Sequence, residues 1–472
     1  MPPTPDRLSA LDAAFLDLET ARAPLHVGWT MRFAGDAPAL AALRRHVDGR
    51  LDAIPRFRRR VVRPALGLGD PHWADDRGFD IARHVHALRL GAPAGPAELR
   101  ELAGVLLSTP LDGHRPLWRL YLVSGLRDGG FAIVGQAHHA LVDGMAAIEV
   151  ATMLFDELGG PPETETWAPA SGPTALQALS HAAGRRLAGG AGAAQALVRT
   201  AAGGAAALRD ATSTLTTLTA AAPATALDRS VTRERHVAYA VAPLDELRAG
   251  ARRHGGTVND GLLAAATIAV GAALQRRGEQ HEHVRALVPA STRVAAEGAA
   301  EHGNRISFLA IDLPVGEPDP ARVLQLVRAH TRARKLAGDA GTGDALLRAA
   351  DLLPAAGRGA VARAAAARAN FSVIVSNVPG PPVRLGLLGR ELLGVWPAVP
   401  LLEGHALTIG AISYRGRICA GLYADAVVVP DAAQIAQDLE RAFDAIRRLP
   451  APSATPWRAR ARTRRDRLRA AG

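Results

Sequence analysis

The stretch Phe131-Ala-Ile-Val-Gly-Gln-Ala-His-His-Ala-Leu-Val-Asp-Gly-Met145 indicates the fold and the chemistry of this chain more directly than any other. It opens with an apolar run that is typical of a buried strand. Two adjacent histidines, His138 and His139, end that run, and Asp143-Gly144 then precedes a segment whose apolar residues recur at helical spacing. The pattern predicts a strand, a histidine pair at its end, a tight turn that Gly144 permits, and a helix.

The histidine pair is better suited to proton transfer than to metal binding. Adjacent side chains on a strand point to opposite faces, so His138 and His139 are poorly placed to bind one ion. The chain has a single cysteine, Cys419, which excludes an internal disulfide and a multi-cysteine metal site. We therefore predict no metal. One imidazole at a strand end can face a cleft and accept a proton. From the residues alone, however, a buried, hydrogen-bonded pair without catalytic role is the default interpretation.

Strand and helix signals alternate through both halves of the chain, which predicts an α/β or α+β fold and no repeat array. The runs 118–124 and 131–136 are bounded by turn residues and predict a strand pair. Helices are predicted at 38–51, 98–107, 244–253 and 431–449, and further strands at 236–242, 285–289, 307–313, 372–376, 406–414 and 417–423.

Composition divides the 472 residues into four parts. We predict an N-terminal lobe (1–158), an Ala- and Gly-rich connector (159–235), a C-terminal lobe (236–450) and a basic tail (451–472). Alanine favours helix in the connector but its glycines weaken it, so we expect one or two marginal helices there and no chemistry. The prediction thus places all chemistry in the two lobes.

The formal net charge of +11 is concentrated in the tail, since residues 450–472 contain seven arginines and one aspartate, a net charge of +6. The rest is only mildly basic, so we predict no nucleic-acid partner. The tail could lie on an anionic membrane surface or remain solvated and disordered, and the sequence leaves both open.

No segment has the length or order expected of a membrane anchor or signal peptide. The longest apolar run, 261–274, is shorter than the about 20 residues that span a bilayer, so it predicts a buried helix and only peripheral membrane contact. The N-terminus lacks the basic-then-apolar order of a signal peptide. With a single cysteine, the chain fits a reducing compartment, and we expect a cytoplasmic protein.

His138-His139-xxx-Asp143-Gly144 resembles the HHxxxDG signature of the superfamily that includes chloramphenicol acetyltransferase, carnitine acyltransferases and peptide-synthetase condensation domains. Other stretches resemble the bacterial wax ester synthase/diacylglycerol acyltransferase family in order and spacing. They are Leu8–Phe15, Pro24–Gly28, Phe57–Arg60, Pro116–Trp118, Thr257–Asp260 and Ser376–Pro381. The resemblance runs from about residue 8 to residue 449, omitting the connector. One position departs from it: Gln136 stands where a basic residue is usual, which could alter local charge or a contact with CoA.

The resemblance implies two chloramphenicol-acetyltransferase-like lobes, each a mixed sheet flanked by helices, with a tunnel between them. It implies that His139 takes the proton from the hydroxyl of diacylglycerol or a long-chain alcohol, whose oxygen attacks an acyl-CoA thioester without a covalent acyl-enzyme. His138 would support the geometry, and Asp143 would be structural, paired with Arg293. The products would be triacylglycerol or wax ester. Acyl-CoA would be a co-substrate, with no resident cofactor, and the site of action would be the inner membrane or lipid inclusions.

The remaining family-like motifs have alternative interpretations. Asn259 could donate a hydrogen bond to the developing oxyanion, but Asn259 or Asp260 could equally cap the helix that follows. Trp118 could line the tunnel, although core packing is the more frequent role of such a residue. We interpret Pro116, Ser376 and Asn377 as architectural.

Two other functions fit the same sequence. The first is an acyltransferase of the same fold with a different acceptor, such as a condensation domain that joins carrier-bound acyl groups. The second is a lipid-binding protein that keeps the fold without catalysis. An ester product from free acyl-CoA and hexadecanol would favour the acyltransferase of neutral-lipid synthesis.

Overall fold

The structure, a computed structural model, describes residues 6–63, 71–142, 155, 169, 222–291, 306–336, 355–381 and 383–451. Two six-stranded sheets dominate it. The described helices are α1 (Ala10–Leu18), α2 (Leu40–Asp48), α3 (Pro96–Ser108), α4 (Leu244–Arg253), α5 (Val258–Arg276), α6 (Pro320–Leu336), α7 (Ala355–Ala365) and α8 (Ala432–Arg447).

The first sheet carries the histidine pair at the end of one of its central strands. In spatial order its strands are β12 (Gly386–Leu387), β13 (Arg390–Ala398), β2 (His26–Phe33), β7 (Phe131–His138), β6 (Trp118–Leu126) and β5 (Val85–Ala94). β5 and β6 are parallel and the other neighbours are antiparallel. A separate three-stranded sheet has the order β1 (Asp6–Arg7), β4 (His72–Asp75) and β3 (Arg59–Val62).

The second sheet is built entirely from the C-terminal half of the chain. Its order is β10 (Ile306–Leu313), β9 (Val284–Ser291), β11 (Val373–Val378), β14 (Leu407–Tyr414), β15 (Arg417–Asp425) and β8 (Arg235–Pro243). β11 is parallel to both of its neighbours and the other pairs are antiparallel. Both sheets are therefore mixed, and the predicted α/β class is confirmed.

Most elements predicted from periodicity are present close to their predicted bounds. β6 and β7 form the expected antiparallel pair, and α4 has the predicted range 244–253. α2 is shorter than predicted, because the helix ends at Gly49 and a separate 3-10 turn, Leu51–Ala53, follows. The predicted helix after the histidine pair, most of the connector and the basic tail lie outside the described residues.

Two strands of the first sheet, β12 and β13, come from the second half of the chain. β13 pairs with β2 through Ala398 and Gly28 at one end and Leu392 and Phe33 at the other. It passes so close to β15 that a Cβ added to Gly421 would lie 1.9 Å from the carbonyl oxygen of Pro397. Only glycine permits this approach of the two backbones.

α5 is a core helix of the second half. Thirteen of its 19 residues are buried, because apolar residues occur on all sides and it packs against α4, α6 and α8. By length and composition alone it could cross a membrane, but 72% of its apolar window is buried inside the fold. The predicted buried helix over 261–274 is confirmed.

A buried ion pair joins the start of β8 to the end of β15. Asp425 is fully buried, and its carboxylate lies 3.4 Å from Arg235 Nη1, whose side chain is 1% exposed. The same carboxylate accepts hydrogen bonds from the N–H (2.5 Å) and Oγ1 (2.8 Å) of Thr232. Arg235 also donates to the carbonyl oxygen of Arg22, so the pair ties the second half to the segment that follows α1.

Candidate active site

His138 is the last residue of β7, and its ring is held by contacts on two sides. It is 1% exposed, and its Nδ1 accepts a hydrogen bond from the N–H of Ala140 at 3.0 Å. Because Nδ1 is an acceptor, the ring proton of the neutral form is on Nε2. Nε2 faces Glu19 Oε1 at 3.7 Å, an electrostatic contact that is longer than a hydrogen bond. His138 is thus positioned inside the protein, not toward a cleft.

Glu19 lies just after α1. Its carboxylate contacts both the histidine turn and Leu25, the residue that precedes β2. Burial would raise the pKa of Glu19, but the contact with the His138 imidazole and the hydrogen bond from the N–H of Leu25 (3.3 Å) outweigh it, so the pKa is lowered. Leu25 in turn accepts the N–H of His139 through its carbonyl oxygen at 2.8 Å. The ionised Glu19 therefore fixes both the His138 ring and the backbone that holds His139.

His26 lies beside His138 across the β2–β7 pair. It is 1% exposed, and its Nε2–H donates to the carbonyl oxygen of Leu107 at 2.5 Å. Burial lowers the pKa of His26 to about 4, and the hydrogen bond to Leu107 offsets only part of this decrease. Tyr423 of β15 donates to the same carbonyl oxygen at 2.8 Å, so His26 belongs to a polar contact between the two halves.

We expect the buried His26 to make stability depend on pH. In the unfolded chain the His26 imidazole takes up a proton below pH 6.5, whereas in the folded protein it does so only near pH 4. The free energy of unfolding therefore falls as the pH falls. Between pH 6.5 and 4.5 the loss from this residue is about 2 kcal/mol. Urea unfolding at both pH values should show a smaller loss in His26→Gln than in wild type. The exposed His283→Ala serves as control, and equal losses in His26→Gln and wild type would contradict the assignment.

His139 lies at the junction of the two halves. Its ring stacks on Phe15 of α1, with centroids 4.0 Å apart and planes inclined by 19°. Phe15 forms an apolar cluster with Leu11 and Leu25, against which Phe308 of β10 and Leu402 pack. We call these residues the His139 cluster. Because the cluster draws on both halves of the chain, the partly exposed imidazole lies beside an apolar surface shared by the two halves.

The structure distinguishes the two residues at the start of α5. Asp260 is buried, and its Oδ2 accepts the N–H and Oγ1–H of Thr257, both at 2.8 Å, while Thr257 Oγ1 accepts the N–H of Asp260 at 3.2 Å. This is a reciprocal capping box, so Asp260 holds the helix start. Asn259 is half-buried, and its Oδ1 accepts from Asn377 Nδ2 at 3.4 Å. The capping alternative thus applies to Asp260, and only Asn259 keeps an amide NH2 group for another acceptor.

We expect substitutions of these neighbours to have different consequences. Asp260→Ala breaks the capping box and should lower the free energy of unfolding by about 1 kcal/mol. Asn259→Ala should leave unfolding nearly unchanged but lower kcat by about 100-fold or more if its amide stabilises the oxyanion. Urea unfolding and steady-state kinetics on both variants separate the effects. Loss of stability without loss of turnover in Asn259→Ala would refute the oxyanion role.

The comparisons with known proteins agree with this arrangement. A family model described as the wax ester synthase/diacylglycerol acyltransferase catalytic domain matches residues 8–262, and the WS/DGAT C-terminal domain matches residues 302–447. A putative diacylglycerol O-acyltransferase of Mycobacterium bovis is 31% identical over 458 residues, covering 95% of this chain and 96% of the relative. The chain belongs to the wax ester synthase/diacylglycerol acyltransferase family. It is therefore an acyltransferase, as the sequence predicted.

Solved structures show the same fold at lower identity. A wax ester synthase/diacylglycerol acyltransferase from Marinobacter aquaeolei VT8 is 23% identical, with a TM-score of 0.67, over 93% of this chain and 98% of that one. The first condensation domain of the calcium-dependent antibiotic synthetase is 18% identical, with a TM-score of 0.60, over 96% and 97% of the two chains. The predicted two-lobe acyltransferase fold is confirmed for this member of the wax ester synthase/diacylglycerol acyltransferase family.

Trp118 and Pro116, from the Pro-Leu-Trp motif of this acyltransferase, belong to the core of the first half. Pro116 is buried, and Trp118 is 2% exposed, donates from Nε1 to the carbonyl oxygen of Phe57 at 2.7 Å, and stacks on His84 at 4.6 Å. Trp118 thus packs in the core of the first half. Leu117 also accepts the N–H of His138 at 2.9 Å, so the motif supports the end of β7.

The motif Ser376–Pro381 continues β11 and then turns against β14. Ser376 and Asn377 pair with Gly410 and Ala411 in parallel register. A Cβ at Gly380 would lie 1.8 Å from the carbonyl oxygen of Ser413, so no other residue fits this turn without a shift. The motif is thus architectural at Gly380, while Asn377 contacts Asn259.

Two further predicted features have defined surroundings. Gln136, at the position that departs from the family pattern, is fully buried and donates from Nε2 to the carbonyl oxygen of Thr109 at 3.2 Å. Cys419 lies on β15, 2% exposed, and burial raises the pKa of its thiol. A buried thiol with a raised pKa is a poor nucleophile. Cys419 therefore gives no support to a cysteine acyl-enzyme.

Three predicted site residues, Asp143, Gly144 and Arg293, lie outside the described residues, so the pairing of Asp143 with Arg293 stays a prediction. Two residues that the structure places beside the histidine pair, Glu19 and Phe15, were not predicted as site residues. An acidic residue at a helix end is usually solvated, and only the long-range contact with the histidine turn reveals its role.

Proposed function

We propose that this acyltransferase transfers a long-chain acyl group from acyl-CoA to the hydroxyl of diacylglycerol or a long-chain alcohol. The products are triacylglycerol or wax ester, respectively. The observation that carries this proposal is the place of the His139 ring, half-exposed beside an apolar cluster contributed by both halves. An apolar acyl chain or alcohol fits such a surface, and a neutral imidazole is the group that takes a hydroxyl proton near pH 7.

His139 acts as general base in the proposed reaction. It takes the proton of the acceptor hydroxyl, whose oxygen forms a bond to the thioester carbonyl carbon. The carbon–sulfur bond then breaks, and the proton passes from His139 to the departing CoA sulfur. Direct attack requires no covalent acyl-enzyme, in keeping with the buried Cys419. Asn259 is the proposed donor to the oxyanion.

The surroundings of His139 are proposed to act on its orientation. Glu19 and His138 hold the turn, since Glu19 binds the N–H of Leu25 and the carbonyl oxygen of Leu25 binds the N–H of His139. Rigid placement of a base lowers the entropy cost of the reaction. The curated relatives are named as diacylglycerol O-acyltransferases, which supports diacylglycerol as an acceptor here. We further propose a cytoplasmic enzyme that needs no resident cofactor and works at the surface of the inner membrane or of lipid inclusions.

Product analysis tests this function. Purified protein is incubated with palmitoyl-CoA and, in separate reactions, hexadecanol or dioleoylglycerol, and lipids are identified by mass spectrometry. We expect wax ester or triacylglycerol together with equimolar free CoA. Intact-protein mass after incubation with palmitoyl-CoA alone should show no acyl adduct. Absence of ester with every acceptor, or CoA release that matches fatty acid instead of ester, would overturn the proposal.

A further inference from the structure

The segment 401–405 connects the His139 cluster to the protein surface. Leu402 packs against the cluster. The next residue, Glu403, is partly exposed, and its Oε2 accepts from Thr20 Oγ1 at 3.4 Å and lies 3.9 Å from Arg22 Nε. The surface at Glu403 is thus one residue away from the apolar surroundings of the base.

α7 runs along α1 toward the same segment. Near its middle, a Cβ on Gly359 would lie 3.5 Å from Asp17 Oδ2 of α1. Shortly after its end, Arg368 lies against Gly404, whose added Cβ would be 2.9 Å from the Arg368 Cβ. Arg363 lies between these two contacts in the chain. One continuous strip of surface therefore extends from Asp17 along α7 to the outward face of the segment 401–405.

Exposed arginines dominate this strip. Arg22 and Arg63 have 61% and 58% of their side chains exposed, and each is only loosely paired, at 3.9 Å, with Glu403 and Asp17 respectively. Arg363 and Arg368 are exposed, and Arg363 lies close enough to Asp17 to favour its ionised carboxylate. Arg233 joins the strip beside Arg22, because its Nε donates to the carbonyl oxygen of Ala21 at 3.1 Å. We define the basic rim as the exposed residues Arg22, Arg63, Arg233, Arg363 and Arg368.

The charge of the rim is high for this chain. Five arginines stand beside three carboxylates, those of Asp17, Glu403 and Glu234, which is a local excess of two positive charges. The whole chain has a net charge of +11, of which +6 belongs to residues 450–472. The rim thus holds two of the five excess positive charges that remain for residues 1–449. Such a concentration favours an anionic ligand over a merely solvated face.

We propose that the basic rim binds the phosphate groups of the acyl-CoA donor. The inference rests on the proposed function, because it assumes that a CoA thioester reaches His139. α1, about 10 Å in diameter, contacts the His139 ring through Phe15 and also contacts α7, and an extended pantetheine arm is longer than this diameter. A thioester at His139 therefore places the phosphates of CoA within reach of the rim. Guanidinium groups suit this role, since they bind phosphate oxygens in pairs.

Replacing rim arginines should affect donors that carry phosphate and spare those that lack it. The test variant is Arg363→Ala/Arg368→Ala. The charge-matched control is Arg248→Ala/Arg252→Ala on α4. This helix follows the last residue of β8, whereas Arg235 is the first residue of that strand. For palmitoyl-CoA, we expect KM to rise about tenfold in the rim variant, since each exposed contact contributes about three- to fivefold. For palmitoyl-pantetheine, KM should match wild type, and kcat should be unchanged for both donors.

Binding of free CoA to the wild type and both variants gives a readout independent of turnover. Calorimetric titration should show weaker CoA binding in the rim variant, weaker binding at higher ionic strength, and no rim dependence for pantetheine. A protein that binds CoA through the rim but forms no ester would contradict the proposed function and leave the rim assignment unchanged. Equal KM and Kd for CoA in the rim variant and wild type would overturn the rim assignment alone.

Phospholipid headgroups offer the same chemistry from another source, and a vesicle experiment distinguishes them. Co-sedimentation uses vesicles of phosphatidylcholine with and without phosphatidylglycerol. We expect the rim variant to sediment with anionic vesicles as wild type does. If it loses vesicle binding while its KM for palmitoyl-CoA stays unchanged, the rim is a membrane contact and the proposal is wrong.

Discussion

His139→Ala should lower kcat for ester formation by about 100- to 10,000-fold, the range that a positioned general base contributes. The physical reason is that no other described imidazole has this position: His138 is buried against Glu19, and His26 is buried against the carbonyl of Leu107. The measurement is the initial rate of CoA release from palmitoyl-CoA with dioleoylglycerol or hexadecanol. KM should change much less than kcat, because the base acts on the transition state.

Two controls make this result interpretable. The exposed His283→Ala removes an imidazole elsewhere and should keep the wild-type rate. Urea unfolding of His139→Ala should stay close to wild type, apart from the lost stacking on Phe15. A folded His139→Ala protein that releases CoA and forms ester at the wild-type rate would exclude the general-base mechanism.

Asp425→Ala should lower the free energy of unfolding by about 3–5 kcal/mol, because it leaves the Arg235 guanidinium buried without its carboxylate. It also removes the acceptor for several donors, namely the N–H and Oγ1–H of Thr232 and the N–H groups of Val427 and Val428. Urea unfolding measures the loss. The decrease should appear in the midpoint, with little change in the denaturant slope.

A surface ion pair provides the matched comparison. Asp245 is 80% exposed and lies 2.6 Å from Arg248, so Asp245→Ala should change stability by less than about 1 kcal/mol. If both aspartate variants unfold at the same urea concentration, the buried pair contributes no more than a surface pair. The interpretation of Arg235 and Asp425 as a structural tie between the halves would then be wrong.

Local sequence predicted the elements around the histidine pair because their determinants are local. The strands 118–124 and 131–136 adjoin one another, their apolar runs are short, and Asp128–Gly130 provides the turn. The capping box at Thr257–Asp260 was also accessible, since a threonine followed three residues later by an acid is a recognised helix start. This signal assigns the capping role to Asp260 and not to Asn259.

Long-range contacts escaped prediction for the opposite reason. The contact of Glu19 with His138 joins residues 119 positions apart, and no periodicity reports it. β13 contains Pro397 and Gly394, which weaken a strand signal, and its partner β2 lies far away in sequence. The end of the predicted connector is another case: Leu227 and Val231 are buried in the core of the second half, although their neighbours are mostly polar.

The origin of β13 also affects how the protein is made on the ribosome. β2 ends at Phe33, but its partner strand is complete only at Ala398. At about 5–20 residues per second, roughly 20–70 s of translation separate the two. During that time the nascent first sheet presents an unpaired edge with hydrogen-bonding groups available to other chains. Chaperones that shield nascent chains would therefore increase the yield of native enzyme most strongly in this interval.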